Sequence, residues 1–323
     1  MNLTYEEMPT NLLLMAYDRE YPVEHSTFEA QAKAEARCST DSSRHFMAAP
    51  AVCEQSWEEC YGAREPKALG SRRGYDRYMG RWSRKIGPLF LDWLGSDGHK
   101  DWIDIGCGTG ELSAAIQDRA QPNRLVGIDI SEAFVERAAD QVSAASFVVG
   151  DATATGLDDG SFDYAVSGLV LNFIPDKAAA LAEMKRLLRP GGTAGLYVWD
   201  YAGHMQLMPY FFDAAIQLAA GAAAYDDGLK APICRPIPLT EAFKAAGFNG
   251  VETKALDVTT AFVDFDDYWQ PFLGGTGSAP KYCTSLDPDL RDKLRQALQE
   301  KLPIGPDGEI FLAARAWGVK GVA

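Results

Sequence analysis

From residue 102 onward, short apolar segments alternate with segments in which apolar residues recur at helical spacing. The short segments predict strands at about 102–105, 125–129, 146–150, 162–167, 193–199, 251–258 and 309–319. Strands that alternate with helices are typical of a parallel sheet with helices packed against it. The pattern therefore predicts an α/β fold for this part of the chain.

Helical spacing is clearest in three segments. Residues 83–94 form an amphipathic pattern, and a second helix begins after the N-cap residue Asp176 and ends at the Pro/Gly turn of residues 189–192. A third segment covers residues 239–246. We expect these helices to pack on the sheet through their apolar faces.

The first 65 residues differ from the rest of the chain. They mix small, polar and isolated aromatic residues without a sustained period, and acidic residues outnumber basic ones. A segment of this kind buries little apolar surface by itself. We therefore expect residues 1–65 to be a poorly ordered or loosely docked extension, and residues 66–323 to form one domain.

The charge and the cysteines narrow the classes of function. The 323 residues carry a formal net charge of -14, whereas nucleic-acid binders usually present a basic surface. No apolar run approaches the roughly 20 residues that span a bilayer, and no signal-peptide pattern is present, so a cytoplasmic location is expected. His45, Cys53 and Cys60 lack the spacing of a common zinc site, so no metal site is predicted.

The candidate ligand site is the stretch D-I-G-C-G-T-G at residues 104–110. Its glycines, Gly106, Gly108 and Gly110, follow a predicted strand and precede a predicted helix. Backbone N–H groups at such a junction face a ligand, and a Cβ would block both the turn and the approach. The G-x-G-x-G spacing differs from the G-x-G-x-x-G of dinucleotide-binding proteins, and Asp104 would repel a diphosphate. A ligand that carries an ammonium or sulfonium group fits this acid better.

A second acid stands at the end of the next predicted strand. Asp129 follows the glycines by about 20 residues, where a carboxylate can accept hydrogen bonds from both ribose hydroxyls. The structural alternative is that Asp129 is the N-cap of the following helix, but Ser131 is at least as good a cap. Asp129 is therefore predicted to be available to a ligand.

Four sequence blocks together resemble the class I S-adenosylmethionine (SAM)-dependent methyltransferases. They are D-I-G-C-G-T-G, G-I-D-I-S, G-D-A followed by F-D, and L-L-R-P-G-G ahead of a strand. The resemblance covers about residues 100–200 and implies SAM as the cofactor. It also implies a Rossmann-like, doubly wound, seven-stranded sheet that is mostly parallel, with an antiparallel last strand at the sheet edge and helices on both faces.

The resemblance also assigns residues to the cofactor. In this family an acid after the third strand accepts from the adenine amino group and the next backbone N–H serves a ring nitrogen, which points to Asp151 and Ala152. Tyr78 and Arg81 are candidate lid residues, because the equivalent leader segment folds over the cofactor pocket. The implied cofactor-binding set is Asp104, Gly106, Gly108, Gly110, Asp129, Ile130, Asp151, Ala152, Ser167, Tyr78 and Arg81.

The acceptor side is less determined by the sequence. Methyl transfer depends mainly on positioning, and a general base is needed only for a hydroxyl, a protonated amine or a carbon acid. The candidate catalytic residues are His204 and Tyr201, and Asp200 is a third candidate for the same role. The alternative for His204 is a surface or loop histidine without a catalytic role. Lid or acceptor elements are expected at about residues 70–95, 200–235 and 264–285. The aromatic residues there either line an acceptor pocket or pack in the core: Tyr75, Trp82, Trp199, Tyr201, Tyr210, Phe211, Phe212 and Trp269.

The implied function is transfer of a methyl group from SAM to a small-molecule acceptor, with neither a membrane nor a nucleic acid as partner. Three alternatives stay open. They are a SAM-binding regulatory or partner protein without transferase activity, an RNA or protein methyltransferase that uses the basic stretch of residues 72–85, and an NAD-dependent oxidoreductase. The sequence leaves the oligomeric state open.

Overall fold

The computed structural model describes residues 81–95, 97–274 and 277–323. The interpretations of residues 1–65, of Tyr78 and of a metal site at His45, Cys53 and Cys60 lie outside the described residues. The predicted domain boundary at residue 66 and the side chain of Arg81 lie outside them as well.

Seven strands form one sheet in the described part of the chain. They are β1 (Asp101–Ile105), β2 (Arg124–Asp129), β3 (Ser146–Val149), β4 (Phe162–Gly168), β5 (Leu188–Trp199), β6 (Asn249–Phe262) and β7 (Ile310–Val322). Their order is β3-β2-β1-β4-β5-β7-β6, and β1 to β5 pair in parallel. Strand β7 is antiparallel to both of its neighbours. The predicted doubly wound, mostly parallel sheet with an antiparallel last strand is confirmed.

The last strand lies inside the sheet, which corrects its expected place at the edge. Ala316 of β7 pairs with Trp199 of β5 on one side and with Leu256 of β6 on the other, so β6 is the outermost strand. At the other end, the chain runs from β1 outward to β2 and β3 and then returns to β4 beside β1. Such a reversal opens a crevice at the carboxyl ends of the strands on either side of it.

Strand β5 begins five residues earlier than predicted. Phe162 pairs with Leu188 and Tyr164 pairs with Thr193, so the intervening residues bulge out of the ladder. Gly191 takes a φ of 82° in this bulge. The preceding helix therefore ends just before the Pro/Gly segment, as predicted, but the segment itself belongs to β5.

Helices cover both faces of the sheet. In the described ranges they are α1 (Arg81–Leu94), α2 (Glu111–Ala120), α3 (Glu132–Gln141), α4 (Lys177–Leu187), α5 (Leu207–Leu218), α6 (Asp227–Lys230), α7 (Pro236–Ala245), α8 (Phe265–Trp269), α9 (Ser278–Ser285) and α10 (Pro288–Lys301). A Cβ at Gly318 of β7 would meet Trp93 of α1, whereas one at Gly321 would meet Phe248, just after α7. Residues three apart in a strand face opposite sides, so α1 and α7 lie on opposite faces. Of the helices described, none has both the length and the apolar character to cross a membrane.

Candidate functional site

The glycine loop joins the end of β1 to the start of α2. Gly106 and Cys107 donate their N–H groups to the carbonyl oxygen of Ile128 at 2.7 and 2.9 Å, which fixes the loop against β2. Gly106 has a φ of 73°, and a Cβ there would lie 2.6 Å from a methyl carbon of Val170. Gly108 has a φ of 53° and no heavy atom within 4 Å of where its Cβ would be. The middle of the loop therefore presents bare backbone to open space, as a ligand loop requires.

Asp129 connects this loop to the end of β2. Its Oδ2 accepts a hydrogen bond from the N–H of Gly108 at 2.9 Å, and its Oδ1 accepts one from the N–H of Ser131 at 3.0 Å. The Ser131 hydroxyl accepts from the N–H of Phe134, so Ser131 caps α3 as expected. Burial raises the pKa of Asp129, and the N–H groups of Ser131 and Gly108 oppose that shift. The acid is thus held at the glycine loop and keeps further lone pairs as acceptors.

Asp104 lies fully buried on β1, whereas the sequence argument against a diphosphate required its carboxylate to face the ligand. Its Oδ2 accepts from the hydroxyl of Ser113 on α2 at 2.7 Å, and among the described residues its Oδ1 has no hydrogen-bond partner. Burial raises the pKa of Asp104 to about 7, with Asp129 adding to the shift and Ser113 opposing it. Asp104 therefore connects β1 to α2 inside the fold, and its side chain is not exposed at the surface of the loop.

Asp151 stands at the carboxyl end of β3, one strand beyond Asp129. Its Oδ1 accepts from the N–H and from the hydroxyl of Thr153, both at 2.8 Å. These hydrogen bonds, the N–H of Thr153 foremost, lower the pKa of Asp151. The side chain is exposed and is an ionised hydrogen-bond acceptor at neutral pH, while Ala152 packs partly against the core.

Ile130 and Ser167 occupy different environments. The side chain of Ile130 is 67% exposed beside the loop. Ser167 is buried, and its hydroxyl donates to the carbonyl oxygen of Ile105 at 2.7 Å, which ties β4 to β1. The Ser167 side chain therefore serves the sheet, and any contact with a ligand would involve its backbone.

His204 and Tyr201, the predicted catalytic pair, are buried after β5. The Nδ1 atom of His204 lies 3.3 Å from Nη1 of Arg315, and Arg315 in turn forms a two-point ion pair with Asp257 at 2.7 and 2.9 Å. The same Nδ1 atom lies 3.7 Å from Oδ2 of Asp200, so the ring is placed between a guanidinium and a carboxylate. This contact favours a supporting role for His204, and its catalytic role stays a prediction.

The aromatic residues that the sequence assigned to either an acceptor pocket or the core are mostly buried, and Tyr75 lies outside the described residues. Phe211 and Phe212 are at most 1% exposed, and Phe211 stacks on Phe272 at 4.5 Å between ring centroids. Trp199 and Trp269 are buried as well. Of the two interpretations left open by the sequence, the described residues favour core packing for these side chains.

A groove of about 670 Å³ opens at the other end of the sheet. It is lined by Ile237 and Lys244 of α7, by Lys254 of β6 and by Trp317 of β7. Strands β7 and β6 are three and four places from β1, which at about 4.8 Å per strand is more than 14 Å. The groove is therefore separate from the glycine loop.

Ser113 and Val170, two residues that shape the site, were not predicted. Ser113 provides the hydrogen bond to Asp104 described above, and Val170 closes over Gly106. Neither contact leaves a periodic signal, because it joins residues from separate elements. The one sign of Ser113 in the sequence is that its hydroxyl falls on the inward-facing side of the first turns of α2.

The residues that form this site also match a family of known proteins. Residues 103–196 match a family model described as a methyltransferase domain. Over these residues the chain is similar to methyltransferase domains. This match covers the glycine loop, both acids that follow it and strand β4, and it confirms the class I methyltransferase that the four sequence blocks predicted.

Two curated proteins are similar to parts of this chain. An uncharacterized 37.1 kDa protein in a transposon of Streptomyces fradiae is 36% identical over 124 residues, which make up 36% of this chain and 36% of that protein. A demethylmenaquinone methyltransferase of Staphylococcus aureus is 37% identical over 94 residues, or 28% of this chain and 39% of that protein. The matches therefore span less than two fifths of either relative.

A solved structure shares the fold. A candidate methyltransferase from Bacillus halodurans superposes on 74% of this chain and 98% of its own, with a TM-score of 0.50 and 13% sequence identity. At this identity the likeness concerns the fold alone. It agrees with the seven-stranded sheet and the helices on both of its faces.

Proposed function

We propose that this chain binds SAM at the glycine loop and transfers the methyl group to a small-molecule acceptor. The observation that supports the proposal most strongly is the hydrogen bond from Gly108 to Asp129. It joins a stretch of backbone that borders open space to an acceptor carboxylate, at the carboxyl ends of two neighbouring strands. This is the place where sheets of this kind bind nucleosides.

The residues present fit SAM better than a dinucleotide. Asp129 has acceptor capacity for the two ribose hydroxyls, and Asp151 with the N–H of Ala152 suits the amino group and a ring nitrogen of adenine. The Asp129 carboxylate, which is hydrogen-bonded to the loop, would repel a diphosphate and attract a cation. The NAD-dependent alternative is therefore disfavoured.

The chemistry asks the protein mainly for binding, orientation and exclusion of water. SAM supplies a methyl group on a positively charged sulfonium. In the proposal, the glycine loop and Asp129 hold the ribose, and Asp151 and Ala152 orient the adenine. No general base is assigned, and His204 and Tyr201 stay candidates for acceptors that must lose a proton.

The acceptor is proposed as a small molecule on limited grounds. The Staphylococcus aureus relative is named for a small-molecule acceptor, demethylmenaquinone. The chain also has a formal net charge of -14, which disfavours a nucleic-acid acceptor. The same acidic balance makes an RNA methyltransferase the weaker alternative.

Titration calorimetry with SAM and S-adenosylhomocysteine tests the binding half of the proposal. Asp129→Ala removes the acceptor for the ribose hydroxyls, so we expect the dissociation constant to rise about 10- to 100-fold. Asp140→Ala, which removes an exposed carboxylate on the neighbouring helix α3, serves as the matched control and should bind as the wild type does. A wild-type protein that binds neither ligand would overturn the proposal.

Transfer is tested separately from binding. SAM labelled in its methyl group is incubated with the protein and a fractionated cell extract, and the label is followed into low-mass compounds. We expect transfer that is lost in Asp129→Ala and kept in Asp140→Ala. Binding without transfer to any fraction would contradict the catalytic half of the proposal and favour a regulatory SAM-binding protein.

A further inference from the structure

A buried acid on helix α4 holds the segment that follows β3. Glu183 is 8% exposed. Its Oε1 accepts hydrogen bonds from the N–H of Thr155 at 2.7 Å and from the Thr155 hydroxyl at 2.6 Å. The two residues are 28 positions apart in the chain, so the contact fixes the loop after β3 on a helix from another part of the fold.

Arg186, one turn further along α4, completes the anchor. It donates through Nε to Oε2 of Glu183 and through Nη2 to Oε1, both at 2.7 Å. Its Nη1 pairs with Asp159 in the same loop. These contacts lower the pKa of Glu183 to about 2, the hydrogen bonds from Arg186 contributing most, so the side chain is ionised at neutral pH. Four donors thus converge on one carboxylate.

The anchored residue directly follows the turn that carries the proposed adenine contacts. Ala154 donates its N–H to the carbonyl oxygen of Asp151 at 3.1 Å, and Thr153 holds the Asp151 carboxylate. Because the turn is this short, fixing Thr155 fixes where Asp151 and Ala152 point. Without the anchor, an exposed turn of this kind would sample several orientations.

We propose that Glu183 is a positioning residue for recognition of the adenine base, acting through Thr155 on Asp151 and Ala152. This inference rests on the proposed function, because it concerns how the SAM site distinguishes one nucleobase from another. Glu183 does not touch the cofactor in this proposal. It sets the direction of the carboxylate that does.

The test compares two ligands that differ only at the base. S-adenosylhomocysteine carries the 6-amino group that Asp151 would accept from, whereas S-inosylhomocysteine carries an oxygen there. We expect the wild type to prefer the adenosyl ligand by about tenfold or more. The oxo group of the inosyl ligand and the Asp151 carboxylate are both acceptors, so no hydrogen bond forms between them. In Glu183→Leu the preference should fall below about threefold. Leu has a similar volume but accepts no hydrogen bond from Thr155 or Arg186, so the anchor is lost.

Two further variants separate positioning from general loss of structure. Thr155→Val removes one hydrogen bond to Glu183 at nearly constant shape and should lower the preference by a smaller factor. Glu241→Leu, on the exposed side of α7, is the matched control and should keep the wild-type preference. Circular dichroism and thermal unfolding verify that each variant is folded.

The outcomes distinguish this inference from the proposed function. If Glu183→Leu is folded and weakens both ligands by the same factor, Glu183 has only a structural role and the inference is wrong, while SAM binding stands. If the wild type binds both ligands equally well, recognition of the amino group by Asp151 fails, and the inference fails with it. If the wild type binds neither ligand, the proposed function itself fails.

Discussion

At the scale of single residues, Asp104 shows how burial sets chemistry. Its folded-state pKa of about 7 compares with an ordinary value of 3.8, and burial is the main cause. Between these two values the folded protein holds a proton on Asp104 that the unfolded chain has released. The folded state binds more protons, so this group lowers the free energy of unfolding as the pH rises from about 4 to about 7.

Asp104→Asn should remove this pH dependence. Asn keeps an oxygen to accept from Ser113 and cannot ionise, so the variant gains stability relative to the wild type as the pH rises. We expect the difference in free energy of unfolding to move by about 2–4 kcal/mol in favour of the variant between pH 5 and pH 8. Urea unfolding at both pH values measures it. A difference that stays constant with pH would mean that Asp104 titrates normally.

At the scale of elements, two glycines in the loop between β1 and α2 are needed for different reasons. Gly106 needs its glycine for the fold, because Val170 lies against it, whereas Gly108 borders open space. Both have positive φ angles, which cost an alanine roughly 1 kcal/mol. The two positions should therefore respond differently to the same substitution.

Gly108→Ala should lower the free energy of unfolding by about 1 kcal/mol and weaken binding of S-adenosylhomocysteine at least about tenfold, because its Cβ enters the proposed ligand space. Gly106→Ala should cost about 2–4 kcal/mol of stability, since its Cβ also overlaps Val170. Denaturant unfolding and calorimetry on both variants check this order. Unchanged affinity in Gly108→Ala would place the ligand away from the loop.

The elements also show what the sequence could and could not predict. Strands β1 to β4 were predicted to within one residue at either end, because runs of branched apolar residues bounded by turn residues have few alternatives. The start of β5 was missed, since a bulge with Pro and Gly inside a strand looks like a turn. Asp129 was predicted from its position at a strand end. The Glu183 anchor was not, because it depends on which loop a helix faces in three dimensions.

At the scale of the whole molecule, hydrogen bonds join the helical layer over β5 and β7 to the sheet. Gln206, just before α5, donates its N–H to Ala313 of β7 at 3.0 Å, and its side chain accepts from the N–H of Ala313 at 2.6 Å. Phe211 of α5 lies between Phe272 and Tyr282, at ring distances of 4.5 and 6.4 Å. Parts of the expected acceptor elements at 200–235 and 264–285 thus share one aromatic core, through Phe211 in the first element and Phe272 and Tyr282 in the second.

Phe211→Ala tests whether this core or an acceptor pocket explains the aromatic residues. Truncation of a fully buried Phe leaves a cavity, so we expect the free energy of unfolding to fall by about 3–5 kcal/mol in a single cooperative transition. The affinity for S-adenosylhomocysteine should change less than about threefold, because the glycine loop lies several strands away. Urea unfolding followed by both tryptophan fluorescence and circular dichroism measures the first expectation, and calorimetry the second. Unchanged stability together with loss of methyl transfer would instead assign Phe211 to the acceptor pocket and make this helical layer part of the active site.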